Sequence, residues 1–141
     1  MIGYIDSSVL LRYLLDEAGQ LPEFSEVTYF ISSEILRLEC LRVLDRIRYL
    51  NGMDDDQLSQ RREWSWNLLK RFELVQVSSR VLDQASQTFP TPCGSLDAIH
   101  LSSALLWQKA ERRELVFFTH DRQLGRTARS MGLNVMGDKG L

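Results

Sequence analysis

Short runs of apolar residues alternate along this chain with longer segments whose apolar positions recur every three or four residues. Ile2 to Ile5, Thr28-Tyr-Phe-Ile-Ser32, Leu74-Val-Gln-Val77, Leu115-Val-Phe-Phe-Thr119 and Leu133-Asn-Val-Met136 are the short runs, and they predict strands. The periodic segments predict helices. The first, capped by Ser7 or Ser8, runs through Val9-Leu10-Leu11 to about Asp16. A second, capped by Ser33, spans Glu34 to about Leu50 and stops at Asn51-Gly52. A third opens on Asp54-Asp-Asp56 and carries Leu58, Trp64, Leu68, Leu69 and Phe72. Ser79 to about Phe89, Gly94-Ser95 to about Glu111, and Asp121 to Met131 complete the set, with breaks at Gly19, Pro22, Pro90-Thr-Pro92 and Gly132. Strands alternating with helices predict an α/β fold, a three-layer α/β/α sandwich around a mostly parallel sheet of four to five strands. The helical pair between the second and third strands is an insertion in that plan. With no repeat, low-complexity segment or linker in its 141 residues, the chain is expected to form one domain, 1–141.

Composition narrows the class. A chain that is 44% hydrophobic and 26% charged is an ordinary globular one, and its longest apolar run falls far short of the roughly 20 residues a membrane span needs. Two cysteines, Cys40 and Cys93, placed in a helix and a loop, do not make a disulfide framework, so a reducing cytoplasm is the expected setting. The formal net charge of −2 argues against a generally basic nucleic-acid binder, although not against a local basic patch beside an acidic site.

Four acids stand at structural junctions. Asp6 ends the first strand and Asp121 follows the fourth by two residues, which places both on the rim where open α/β sheets bind their ligands. Glu39 has Ile35, Leu36 and Val43 as helical neighbours, at the edge of a buried stripe. Asp97 lies in the first turn of its helix, with Leu101 and Ala104 on the same face. Each has a separate, simpler explanation: a helix cap for Asp6 and Asp121, a helix N-terminus for Asp97, an ion pair with Arg42 or Arg46 for Glu39. Together they form a group that repels itself unless a cation neutralises it. All-oxygen ligands favour Mg²⁺ or Mn²⁺, and the Cys/His spacing of a zinc site is missing. His100, three residues from Asp97, reads either as a core or surface histidine or as a hydrogen-bonding neighbour of the site; His120 reads as a loop residue. A carboxylate-held metal on a sheet rim suits phosphodiester cleavage. Neither a glycine-rich phosphate loop with its lysine nor a G-x-S-x-G elbow is present.

Tyr4-Ile-Asp-Ser-Ser-Val-Leu-Leu11, Ser33 through Glu39, Ser95-Leu-Asp-Ala-Ile-His-Leu101 and Thr119-His-Asp-Arg-Gln-Leu124 resemble, in order, the motifs of PIN-domain nucleases, and among them the VapC-type toxins of toxin–antitoxin modules. The resemblance covers nearly the whole chain. It implies an endoribonuclease dependent on Mg²⁺ (or Mn²⁺), with Asp6, Glu39, Asp97 and Asp121 as the catalytic and metal-holding acids. Ser8 and Thr119 match the family's small polar supporting residues. An RNA substrate, a homodimer and a cognate antitoxin that blocks the site are implied as well. The tryptophan-rich helix from Asp54 departs from the pattern and leaves partner binding open.

Arg122, Arg126 and Arg129 share one face of the last helix, either as an RNA-phosphate grip or as a solvated face; Arg12 fits either role. Trp64, Trp66 and Trp107 read as core or interface, and Trp64-Leu68-Phe72 as a stripe that packs internally or receives a partner helix. Other acid-at-strand-end folds fit less well. A haloacid-type phosphatase needs an acid where Ser8 stands, and a receiver domain needs an adjacent acidic pair near its start. A von Willebrand-type metal module needs a second serine where Leu10 stands. The remaining alternative is a catalytically silent PIN-like module that acts by binding a protein or RNA partner.

Overall fold

The computed structural model describes residues 1–15 and 22–138. Five parallel strands, β1 (Ile2–Ile5), β2 (Tyr29–Ser33), β3 (Phe72–Val75), β4 (Val116–Phe118) and β5 (Asn134–Met136), form one sheet in the order β3-β2-β1-β4-β5. Six helices accompany them: α1 (Ser7–Leu14), α2 (Ile35–Asn51), α3 (Asp55–Leu69), α4 (Ser79–Ala85), α5 (Ser95–Glu111) and α6 (Arg122–Ser130).

The pleat explains the three layers. Successive strand side chains point to opposite faces. Tyr4, Ile31 and Phe117 therefore pack with Leu101, Ala104 and Trp107 of α5 and with Leu124 and Ala128 of α6. Ile5, Phe72 and Phe118 pack on the other face with Val9, Leu10 and Leu14 of α1, Leu36 and Cys40 of α2 and Leu69 of α3. Burying a side chain of this size fully contributes about 1.5–3 kcal/mol, so the strands are held from both sides. The register sets Tyr4 beside Ile31 on one neighbour and Phe117 on the other, making β1 the central strand. Chain order reverses at β1, so the crevice expected in such a sheet lies above its carboxyl end.

Several element ends differ from the sequence expectation. Asp6, not a serine, caps α1, its side chain accepting from the Ser8 and Val9 amides. Ser33 remains in β2, where its hydroxyl accepts from the Ile35 amide. Asp54 and Gln57 close a capping box that starts α3. Gly52, with φ of 65°, ends α2 in the left-handed conformation glycine adopts without strain. Phe72 leaves α3 and begins β3, where its ring packs on Phe30; the expected Trp64-Leu68-Phe72 stripe is thereby broken. α4 stops at Ala85, four residues short of Phe89. Pro22 opens a 3-10 turn, Pro22–Glu26, while the expected helix end at Asp16 and break at Gly19 lie outside the described residues. Among the described residues no helix is long and apolar enough to cross a membrane.

Candidate active site

β1 delivers Asp6 to the rim. Its amide continues the sheet by donating to the Phe118 carbonyl at 3.1 Å, and the residue is 3% exposed. Oδ1 accepts from the Ser8 amide (3.0 Å), the Ser8 hydroxyl (2.6 Å) and the Val9 amide (3.3 Å). Oδ2 accepts from the Thr119 hydroxyl at 2.6 Å. The two hydroxyls also tie in the turn after β4. Ser8 Oγ accepts from the His120 amide at 2.9 Å, and Thr119 Oγ1 from the Asp121 amide at 3.0 Å. Asp6 is thus the helix cap that its position allowed and also the acceptor on which two segments converge. Burial holds its carboxyl above the usual range, opposed by His100 and by the bonds from Ser8, Thr119 and Val9. Among the described residues Oδ1 has three donors and Oδ2 one, so Oδ2 retains accepting capacity.

Glu39 enters from α2 with its side chain 15% exposed. Arg42, considered above as its partner, pairs instead with Asp45. Glu39 Oε1 meets His100 Nε2 at 2.6 Å, and Oε2 accepts from the Ser7 hydroxyl at 3.0 Å. His100 is buried, and its Nδ1 lies 2.8 Å from the Tyr4 hydroxyl. Asp97, half-buried in the first turn of α5, has its carboxyl raised by burial, then by the negative charges of Asp121, Asp6 and Glu39, with His100 opposing. Asp97 is thus the acid on which the charges of the other three act. Asp121 is exposed and caps α6, accepting from the Leu124 amide at 3.0 Å.

Convergence is looser than the sequence suggested. Among the described residues no three His, Cys, Asp or Glu side chains are gathered closely enough to grip one ion. The reason is local: Asp6 and Asp121 are fixed by the helices they cap, and Glu39 is turned toward Ser7 and His100. The donor chemistry still suits a hard cation. Mg²⁺ typically takes one or two carboxylates and keeps several waters, so it does not need a three-residue cage.

The basic residues divide. Arg122 and Arg126 are exposed on α6. Arg129 forms a two-pronged pair with the buried carboxylate of Asp138, one bond being 2.7 Å, and so belongs to the anchor of the C-terminal segment. Arg12 Nη1 is buried without a hydrogen-bond partner among the described residues, as is His120 Nε2. His120 bonds the Gly137 carbonyl through Nδ1, and burial followed by the Arg12 charge lowers its pKa. Trp107 is core, Trp64 packs at a tilt against Tyr13, and Trp66, 40% exposed, lies under the Arg37 guanidinium. The apolar cavity of about 470 Å³ between Val9, Tyr13, Phe24 and Phe30 is lined by none of the four acids.

Tyr4 and Ser7 were missed by sequence reasoning. Tyr4 carried a usable signal, since it shares a strand face with Asp6 at spacing two. For Ser7 the contact spans 32 residues and only the fold reveals it.

Among curated proteins none matches the chain. The family model for the PIN domain matches residues 3–130, a span that runs from β1 through α6 and contains Asp6, Glu39, Asp97 and Asp121. The chain therefore belongs to the PIN domain family, whose members are generally nucleases.

Proposed function

We propose that this protein is a metal-dependent endoribonuclease that cleaves RNA phosphodiester bonds, and that it acts as the VapC-type toxin of a toxin–antitoxin pair in the cytoplasm. The observation that carries the catalytic reading is the buried Asp6 carboxylate at the end of the central strand, bound through Thr119 to the turn that carries Asp121, with Glu39 joined through His100 to the helix that carries Asp97. Asp6, whose Oδ2 keeps accepting capacity, and Asp97 would hold a Mg²⁺ or Mn²⁺ ion, with Glu39 of α2 and Asp121 at the cap of α6 adding negative charge at the rim. When bound, the ion supplies an activated water and neutralises charge on the phosphate.

The chain's own residues have separable tasks in this reading. Ser8 and Thr119 fix the Asp6 carboxylate and, by accepting the His120 and Asp121 amides, hold the α6 turn against it. Asp121 and Glu39 add negative charge that excludes an RNA backbone unless a cation lies between them. Arg122 and Arg126 are exposed where they can bind backbone phosphates without reading sequence. Arg12 sits beside the turn, and Arg129, tied to Asp138, contributes only long-range charge. A homodimer and an antitoxin covering the site complete the proposal.

The second reading is a catalytically silent PIN-like module, and it draws on the absence of a tight trio of acids among the described residues. The test is to incubate the pure protein, free of any partner, with structured and single-stranded RNAs and with Mg²⁺, Mn²⁺ or EDTA. Internal cuts that appear with either metal and vanish with EDTA support the nuclease. RNA left intact under every condition supports the silent module.

A further inference from the structure

Both oxygens of Glu39 are engaged by side chains of other helices. Ser7 of α1 holds Oε2, and His100 of α5 holds Oε1. Behind His100 stands Tyr4, fully buried in β1, its ring edge-on to the imidazole and stacked on Phe117. Four elements thus lock one carboxylate. A carboxylate can only accept, so Nε2 carries a proton. In the neutral imidazole Nδ1 is then the acceptor, and it receives the Tyr4 hydroxyl.

We propose that Tyr4 and His100 are positioning residues: a buried Tyr4–His100–Glu39 relay that fixes the orientation of Glu39 at the metal-binding rim. The inference rests on the proposed role of Glu39 at that rim. A core histidine needs only its volume filled and its two nitrogens satisfied. This one spends Nε2 on a partly exposed acid 61 residues away, on a different helix. Nδ1 meets a hydroxyl held in a fixed place by ring stacking, so the imidazole cannot rotate without losing both bonds. Groups that orient metal-ligating side chains through a second hydrogen bond typically change metal affinity or activity by about 10- to 100-fold when removed.

The test compares His100→Leu, which keeps the volume, with His100→Gln, whose amide N–H can replace Nε2, and with Tyr4→Phe. Nitrogen-15 NMR of metal-free wild type at pH 8 is expected to show the proton on Nε2, and a single Glu39 carboxyl carbon-13 line. In His100→Leu that line shifts or broadens, Mn²⁺ binding by calorimetry weakens by about 10- to 100-fold, and kcat for RNA falls while KM holds. His100→Gln restores all three, and Tyr4→Phe falls between. Wild-type affinity and kcat in a cooperatively folded His100→Leu, or an Nε2 without a proton, would overturn the relay. If His100→Leu does not fold, a Glu39 line and Mn²⁺ affinity unchanged in Tyr4→Phe overturn it. If wild type neither binds Mn²⁺ nor cuts RNA, the nuclease reading fails by itself. The relay is then decided by whether the Glu39 line moves in the Leu variant and returns in Gln.

Discussion

Replacing Asp6 separates two roles that the structure gives to one carboxylate. Asp6→Asn keeps an oxygen that can accept from the Ser8 and Val9 amides, and asparagine caps helices about as well as aspartate. Asp6→Ala removes the cap, which costs about 1 kcal/mol, and leaves the Ser8 and Thr119 hydroxyls without their acceptor, which adds about 1–3 kcal/mol. The sum is roughly 2–4 kcal/mol. At about 3–4 °C per kcal/mol for a chain near this size, Tm should fall by roughly 6–16 °C. The charge acts in the opposite direction. Burial raises the folded carboxyl above its ordinary value of 3.8, so the folded state holds this proton more tightly than the unfolded chain. The stabilising contribution is full below pH 3.8 and is lost as pH rises through the folded value. Asp6→Asn should therefore match or exceed wild type at pH 7, with the advantage shrinking toward pH 4. Denaturant melts of the three proteins at both pH values read this directly. An Asn variant as damaged as the Ala variant at pH 7 would refute the reasoning, since the fold would then be stabilising the charge.

Four further outcomes follow from the structure. Thr119→Val removes the donor to Asp6 Oδ2 and the acceptor of the Asp121 amide, and should lower unfolding free energy by about 1–3 kcal/mol in urea; a loss within error would show that neighbours compensate. Arg129→Ala should destabilise by about 1–3 kcal/mol, reduced by the guanidinium's exposure, with RNA affinity little changed. Arg122→Ala with Arg126→Ala should leave Tm alone, weaken RNA binding and flatten its salt dependence. Burial pushes the Cys40 thiol up to about 12, so a disulfide reagent at pH 8 should titrate one thiol, Cys93, in the native protein and two after denaturation.

The sheet and its flanking helices were legible because two periodicities, two and 3.6, alternate cleanly along the chain. Where the elements end was less legible, and for identifiable reasons. Asp6 outcompetes Ser7 and Ser8 as a cap because the sheet bond from its own amide fixes where β1 stops. Phe72 fits a helical stripe by spacing, but pairing with Phe30 draws it into β3. Among the acids, Asp97 shares a helix face with its i+4 and i+7 neighbours, Leu101 and Ala104, which are fully buried, while Asp97 itself is half-buried. Glu39 was placed at a buried edge, yet its partners were unreadable. His100 and Ser7 reach it only after three helices pack on the sheet. The arginines of α6 share a face by spacing, but the tie from Arg129 to Asp138 depends on where β5 leaves the chain.

The central claim is that acids on this rim act together through a divalent cation to cut RNA. The most direct measurement is single-turnover cleavage of one labelled RNA by wild type, Asp6→Asn and Asp97→Asn, each folded, with Mg²⁺ and with EDTA. Wild type should cut only with Mg²⁺, and both variants should fall to background in either condition. Cleavage that persists in EDTA, or in both variants, would contradict the account.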